Sequence, residues 1–403
     1  MLKKITNLNN WLILIFFPIS ILSLILIFVL KPFLKIRLGN IRSDRFGHYI
    51  KNFELYLCDK KKNPKKFLKT FDIFFLSLES SNLYFKNICK KYIRILPAHF
   101  FILTLKIAEK SSFFKKNILD FRDYDYDPNN HFDSANCQIK LNEEEIQAGE
   151  KILEQVGINA NDKIVCLSVR DDMYMKKNNK TYDPDHNWKF RNSDLENYKL
   201  ASNELTKLGY KVVRVGKDTE LKISFENEKI FDYSKSKIRS DFLDIYLAYR
   251  CAFAFGDSSA WMTAPMAFRK HLAYANYIPF SHLHYYSNKF TYIFKYYFDE
   301  KLKKRLNINE IFERKLHYLY SKELKKSKIK IKDNSPEDIL RLVLEVESKY
   351  TGKFKKDPEN ELRNKNFKFF LNNNAFLKKN LNNSFELKSS CEKYFLKNNF
   401  YTN

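Results

Sequence analysis

A repeated strand-then-helix pattern in the second half of this chain constrains its fold more than any other feature. Short β-branched apolar runs, typical of buried strands, alternate with segments that begin at a capping residue and end at glycine. The first helix is predicted to start at Asn142, with Glu145 completing a capping box, and to stop at Gly157. Strands that alternate with helices indicate a parallel sheet, and therefore an α/β fold.

The same pattern continues through a domain that we place at residues 141–300. The predicted strands cover 163–170, 211–215, 228–233, 251–255 and 271–275. The predicted helices run from a Ser193–Glu196 capping box to Leu208, from Ser240 to Tyr249, and from the turn at 256–260 to Phe268. A helical, partly mobile extension is expected at 301–403, with a helix starting at Ser335.

The first half resembles a second unit of the same type, which we place at residues 35–140. Strands are predicted at 35–41, 72–78 and 92–96, and helices from the loop 42–48 to Cys58 and over 80–91. Two Rossmann-like domains with a cleft between them are the expected architecture, and the 42–48 loop would face the second domain.

Two features of the second domain suit phosphate. Arg170 ends a buried strand, and in open α/β sheets ligands bind at that edge, where a guanidinium matches phosphate oxygens. The alternative is an ion pair of Arg170 with Asp171 or Asp172. The turn Gly256–Ala260 leads from a strand into a helix, whose start would offer amides and hydroxyls to an anion. The alternative there is ordinary helix capping.

Five segments resemble a family of bacterial glycosyltransferases associated with surface-polysaccharide genes. They are S-D-R-F-G-H-x5-E from Ser43, V-R-D-x2-Y from Val169, F-R-N-S-D-L-x2-Y from Phe190, L-G-Y-K-V-V-R-V-G from Leu208 and F-G-D-S-S from Phe255. The similarity to GT-B fucosyltransferases is more remote. The resemblance implies a GT-B fold and a nucleotide-sugar donor held without metal or cofactor, with Arg170, Ser258 and Ser259 on its phosphates. The family turn is G-T-x-S-G, from which Asp257 and Ala260 depart.

The predicted site residues fall into two groups. The donor and phosphate group comprises Arg170, Asp172, Arg191, Asn192, Arg214, Gly256, Asp257, Ser258 and Ser259. Such cations would stabilise the leaving diphosphate. The acceptor hydroxyl needs a base, for which His48 is the first candidate because imidazole titrates near neutrality, followed by Asp44 and Glu54. The alternative for His48 is a backbone contact at the helix start.

The N-terminus carries a predicted membrane anchor at residues 1–34. Trp11–Leu30 holds no charge, and as a helix it would extend roughly 30 Å, the thickness of a bilayer core. The richer positive flank follows this segment, which places the remaining chain in the cytoplasm, at a bacterial inner membrane. The alternative topology is a re-entrant hairpin, in which the helix breaks at Pro18 and Ser20. The acceptor would then be lipid-linked or of lipopolysaccharide type.

Composition and scattered motifs exclude or weaken the competing interpretations. The net charge of +25 suits nucleotide phosphates and an anionic membrane face, and no nucleic-acid-binding motif accompanies it. The six cysteines are far apart and show no metal or disulfide spacing.

Three alternatives stay open. The D-x-D run Asp123–Asp127 is an alternative metal site. A non-catalytic basic protein that binds glycans or nucleic acid, and another nucleotide-sugar enzyme such as an epimerase, remain alternative functions.

Overall fold

A computed structural model of the chain describes residues 10–77, 79–178, 182–184, 187–220, 222–374, 377 and 387–400. The chain divides into two compact units, Met1–Asp125 and Tyr126–Asn403. Each unit is built on its own sheet of parallel strands flanked by helices, so the predicted α/β class with parallel sheets is confirmed.

The first unit contains a four-stranded parallel sheet. Its strands are β1 (Lys35–Ile41), β2 (Thr70–Leu76), β3 (Ile95–Leu96) and β4 (Ile118–Leu119), in the order β3-β2-β1-β4. Its helices are Asn10–Leu30, Phe46–Lys62, Pro64–Phe67, Leu83–Tyr92 and Ala98–Lys110. The chain winds outward from β1 to β3 and then returns to the other side of β1. The carboxyl ends of β1 and β4 therefore flank the topological switch point, where open α/β sheets bind ligands.

The N-terminal helix, Asn10–Leu30, lies against the first unit through a narrow stripe. Leu24 and Ile27 are buried with Leu38 of β1 and Ala108 of the helix Ala98–Lys110. Most of its other described side chains are exposed and apolar, among them Leu22 at 68% exposure. Within the described residues, no helix is both long and apolar enough to cross a membrane. The predicted membrane-spanning segment is thus not supported by this structure.

The second unit contains a seven-stranded parallel sheet. The strands are β5 (Lys163–Ser168), β6 (Tyr210–Val215), β7 (Ile230–Asp232), β8 (Phe253–Gly256), β9 (His271–Tyr277), β10 (Phe290–Phe294) and β14 (Ser390–Cys391). Their order is β14-β10-β9-β8-β5-β6-β7, and every pairing is parallel. The six strands from β5 to β10 follow the doubly wound order of dinucleotide-binding folds. The switch point lies between β5 and β8.

The helices of the second unit match several predicted boundaries. They are His131–Ser134, Glu143–Glu154, Met173–Asn178, Lys199–Lys207, Asp241–Arg250, Thr263–Ala267, Ile308–Glu313, Ser321–Lys326, Pro336–Tyr350, Pro358–Asn373 and Lys393–Asn399. The capping box at Asn142 and the helix caps at Ser240 and Ser335 are confirmed. The predicted Ser193 cap is wrong: the Asp194 side chain accepts from the backbone of Glu196 instead.

Two further elements differ from the sequence-based expectation. The helix predicted to start in the turn 256–260 begins only at Thr263 and has five residues. The chain from residue 296 onward, including the C-terminal extension, also forms strands. β11 (Tyr296–Asp299), β12 (Lys304–Arg305) and β13 (Ile329–Lys332) make an antiparallel sheet, and β14 joins the edge of the main sheet.

Candidate functional site

The switch point of the second unit is closed by a tight contact between the ends of β5 and β8. Gly256 has a φ of +138°, and a Cβ there would lie 1.9 Å from the carbonyl oxygen of Ser168. Only glycine therefore fits this position. The hydroxyls of Ser168 and Ser259 lie 2.7 Å apart, and the Asp257 amide donates to the Ser168 carbonyl at 2.9 Å. The turn is thus tied to β5 by its own polar groups.

The Asp257 carboxylate is turned into the protein. It is 1% exposed, and it accepts from the backbone amide of Arg170 at 2.8 Å and from the hydroxyl of Tyr198. Burial raises the pKa of this carboxyl to about 6, although the charge of Lys295 opposes the increase. The carboxylate that departs from the family turn therefore fastens Arg170 to β8, and it does not face a phosphate. The five-residue helix that follows supplies no anion site.

Arg170 is a partly buried cation held by neutral groups. Its Nε donates to Oδ1 of Asn192 at 3.3 Å, and a terminal nitrogen lies 3.5 Å from the Met175 sulfur. Burial lowers its pKa despite the negative charges of Asp172 and Asp257. Among the described residues, no carboxylate lies within ion-pairing distance of this guanidinium. The alternative interpretation, an ion pair of Arg170 with Asp171 or Asp172, is therefore not found among the described residues.

Arg191 is a second cation that is held by neutral groups. Its terminal nitrogen donates to the carbonyl of Ser258 at 2.5 Å and approaches the Ser258 hydroxyl at 3.3 Å. Its Nε is buried without a hydrogen-bond partner in the described part of the chain. Burial, and then the positive charge of Arg170, lower its pKa to about 10. Within the described residues, two neighbouring guanidinium groups thus have no counter-ion at ion-pairing distance, an arrangement that an anionic ligand would complete.

A cavity of about 400 Å³ opens beside Arg170, a size typical of small-ligand sites. It lies at the carboxyl ends of β5 and β6, next to the switch point and on its β6 side. Its cationic lining is Arg170, Lys176, Lys189 and Arg214, and its acidic lining is Asp171, Asp172 and Glu220. Arg214 is nearly fully buried and pairs with Asp232 at 3.2 Å. Asp172 accepts from the hydroxyl of Tyr182 at 3.0 Å.

The structure therefore brings most of the predicted donor residues together in two layers. Arg170, Asp172, Asn192 and Arg214 line the cavity. Gly256, Asp257, Ser258 and Ser259 form the turn that supports them, and Arg191 joins this turn through Ser258. Sequence reasoning missed the supporting residues beneath. Asn276 donates to the Tyr198 hydroxyl at 3.1 Å, and Lys295 donates to the Asn192 carbonyl at 2.5 Å. Of these supporting residues, Tyr198 could have been found from the sequence, because it is the last residue of the F-R-N-S-D-L-x2-Y segment.

The first unit places its three predicted base candidates differently. His48 is near the start of the helix Phe46–Lys62, and its Nδ1 lies 2.6 Å from Oδ1 of Asp125. Asp44 accepts from the Ser77 hydroxyl at 3.1 Å, in the loop that follows β1. Glu54 is fully buried, and its carboxylate accepts from the thiol of Cys58. His48 and Asp44 are thus at the carboxyl edge of the sheet, whereas Glu54 faces the core.

The acidic run at 123–127 does not converge on one point. Asp125 contacts His48, and Asp127 accepts from the backbone amides of His131 and Phe132 at 2.8 and 2.9 Å. Asp123 is exposed. Throughout the described residues, no group of three or more His, Cys, Asp or Glu side chains is arranged to hold a metal ion.

Comparison with known proteins finds distant likeness only. No protein-family model and no curated protein matches the chain. Among solved structures, the chain is similar to a glycosyl transferase family 9 protein from Veillonella parvula, at 12% identity and a TM-score of 0.42, covering 65% of this chain and 86% of that one. It is also similar to the ADP-heptose lipopolysaccharide heptosyltransferase II of E. coli, at 12% identity and a TM-score of 0.39, covering 64% and 90%. The activity of this chain therefore has to be argued from its own site.

Proposed function

We propose that this chain is a glycosyltransferase that takes a sugar from a nucleotide-sugar donor. The observation that carries the proposal is a pair of neighbouring, partly buried guanidinium groups. Arg170 lines the ligand-sized cavity, Arg191 donates to the Ser258 carbonyl behind it, and within the described residues neither has a carboxylate partner. A diphosphate supplies the missing negative charge, and its oxygens suit the planar donor fork of arginine. The motif resemblance supplies the class of reaction, and the GT-B arrangement of the two units belongs to the same proposal.

The proposed chemistry uses protein groups where other enzymes use a metal ion. As the bond from the sugar to the diphosphate breaks, negative charge builds up on the leaving oxygen. Arg170 and Arg191 stabilise that charge with preorganised donors. Asn192 orients Arg170 through its Nε contact, and Arg214 and Asp172 bound the cavity that receives the rest of the donor. We expect turnover to persist in excess chelator, with no cofactor.

The proposed acceptor side lies in the first unit. His48 is our candidate for the base that removes the proton of the acceptor hydroxyl, with Asp44 as the second candidate. Both follow β1 at the edge where α/β sheets bind ligands. The buried Glu54 is left out of the proposed machinery.

We further propose that the acceptor is lipid-linked or of lipopolysaccharide type, and that the protein works at the cytoplasmic face of a bacterial inner membrane. The exposed apolar side chains of the helix Asn10–Leu30 support contact with lipid, since soluble surfaces rarely carry so many. Lys31 and Lys35 at its carboxyl end suit anionic headgroups. No disulfide joins any of the six cysteines, all within the described residues, which agrees with a reducing compartment.

The donor-site assignment is tested by binding. UDP, GDP and ADP, each free and as a nucleotide sugar, are titrated into the full chain in EDTA by calorimetry. We expect at least one to bind, and Arg170→Lys to weaken its binding by about 10-fold or more, because a point charge cannot replace two parallel hydrogen bonds.

The matched control is Arg250→Lys. Arg250 is also in the second unit, but it donates to the carbonyl of Asp162 next to the amino end of β5, at the opposite edge of the sheet. Its substitution should leave nucleotide affinity unchanged. If Arg170→Lys and Arg250→Lys bind every nucleotide equally well, or if no nucleotide binds the wild type, the donor-site assignment is refuted.

A further inference from the structure

The segments that follow β1 and β4 in the first unit bring an imidazole and a carboxylate together at the switch point of its sheet. His48 follows β1, and Asp125 follows β4, which is the neighbour of β1 on the other side of the switch point. The two side chains are 77 positions apart in sequence, and Nδ1 of His48 lies 2.6 Å from Oδ1 of Asp125. The imidazole is about one-third exposed, so it remains accessible from solution.

The carboxylate is fixed by groups other than the histidine. The side-chain amide of Asn52 donates to the same Oδ1 at 2.7 Å, and the ammonium of Lys51 donates to the Asp125 backbone carbonyl at 2.5 Å. Burial by itself raises the pKa of Asp125. The hydrogen bond from His48 and the charge of Lys51 outweigh that effect and hold the pKa at about 2. Asp125 therefore stays ionised near neutral pH and can only accept from the imidazole.

We infer that Asp125 is the positioning residue for His48. A carboxylate that accepts at Nδ1 keeps the proton of the neutral imidazole on that nitrogen and leaves the lone pair on Nε2. This inference rests on the proposed function, in which His48 is the base. In the transfer step the acceptor O–H bond breaks, its proton goes to Nε2, and the acceptor oxygen bonds to the sugar as the diphosphate leaves. The imidazolium so formed lies beside the Asp125 charge, and it later returns the proton to water.

The competing interpretation is a permanent ion pair, in which His48 is already protonated on both nitrogens and cannot act as a base. The two states differ in a directly measurable property. Long-range ¹⁵N–¹H correlation spectra of the full chain, labelled in histidine, report which ring nitrogen carries a proton. A His48→Gln sample identifies the resonance among the eight histidines.

At pH 8 and without any ligand, we expect His48 to be neutral with its proton on Nδ1. Asp125→Asn presents an amide to Nδ1 and should move the proton to Nε2, whereas Asp120→Asn should leave the spectrum unchanged. Asp120 is an acid of the same loop that pairs with Arg122. A wild-type imidazolium at pH 8, or a neutral ring with its proton already on Nε2, overturns the inference.

A kinetic cycle provides the second test, with the donor found by the nucleotide titration and its acceptor. Asp125→Asn should lower kcat by about 10²-fold or more, with the donor KM unchanged, and Asp125→Glu should restore part of it. In a His48→Ala background, Asp125→Asn should have almost no further effect, because the two groups act as a unit. Equal effects in both backgrounds overturn the inference. If the wild type binds a nucleotide but the two substitutions are not coupled, only the pairing of His48 with Asp125 is refuted. If the wild type binds no nucleotide, the proposed function is refuted, and the NMR spectra alone then test the role of Asp125.

Discussion

Replacing Arg191 with methionine separates a ligand-binding cation from a structural one. The pKa of Arg191 is lowered to about 10, well below that of an exposed guanidinium, because burial disfavours the charged form. At ~1.4 kcal/mol for each tenfold change, this lowering of the pKa amounts to at most about 3.5 kcal/mol against the charged form. The hydrogen bonds to Ser258 offset it by roughly 2 kcal/mol in total. Arg191→Met removes both contributions, so the free energy of unfolding should change by no more than about 1.5 kcal/mol.

Arg239 provides the matched comparison in the same unit. It pairs with Asp244, whose carboxylate is almost fully buried. Arg239→Met leaves that charge without its partner, and such losses cost about 3–5 kcal/mol. The two variants therefore remove the same charge with opposite expected consequences: Arg191→Met keeps stability and loses nucleotide binding, and Arg239→Met loses stability and keeps binding.

The assay is urea unfolding at pH 7.5, followed by the fluorescence of the three tryptophans, with and without the nucleoside diphosphate that binds the wild type. The diphosphate should stabilise the wild type and Arg239→Met, and it should leave Arg191→Met unchanged. If Arg191→Met costs as much stability as Arg239→Met, or still gains stability from the diphosphate, then Arg191 is a structural residue and the two-arginine argument fails.

Three further changes test the surroundings of the site. Gly256→Ala should destabilise the protein by about 3 kcal/mol or more in urea, because its Cβ meets the Ser168 carbonyl, whereas Gly157→Ala, with open space around it, should cost about 1 kcal/mol. The pKa of Asp257 is raised on folding to about 6 from 3.8, so its contribution to stability is present below pH 4 and is lost as pH rises through 6. Unfolding free energies at pH 4 and 7.5 should show this loss, up to about 3 kcal/mol, in the wild type and not in Asp257→Asn. Leu22→Lys should weaken flotation with anionic phospholipid vesicles, and Leu208→Lys, at a leucine of the second unit that is also exposed, should not.

Much of the fold could be predicted because local patterns carry it. The apolar β-branched run of β5 and the Asn142 capping box specify their elements without help from distant residues. β13 was missed although its I-K-I-K alternation is strand-like, because its partner β11 lies in an aromatic run with no clear period. The contact of His48 with Asp125 had no sequence signal, since it depends on two distant segments that only the strand order β2-β1-β4 brings together.

The turn after β8 shows how the same residues can serve a site by another route. Its small polar residues predicted a helix start whose amides would hold phosphate. In the structure their polar groups bond to β5, Arg170 and Arg191 instead. The anion site that we propose therefore consists of guanidinium groups whose positions the turn fixes. Backbone amides tolerate most side-chain substitutions, whereas a guanidinium fork does not tolerate replacement by lysine. Binding of the diphosphate should then be sensitive to substitution of Arg170 and Arg191. It should also be sensitive to substitution of Asp257, whose carboxylate holds the backbone amide of Arg170 in place.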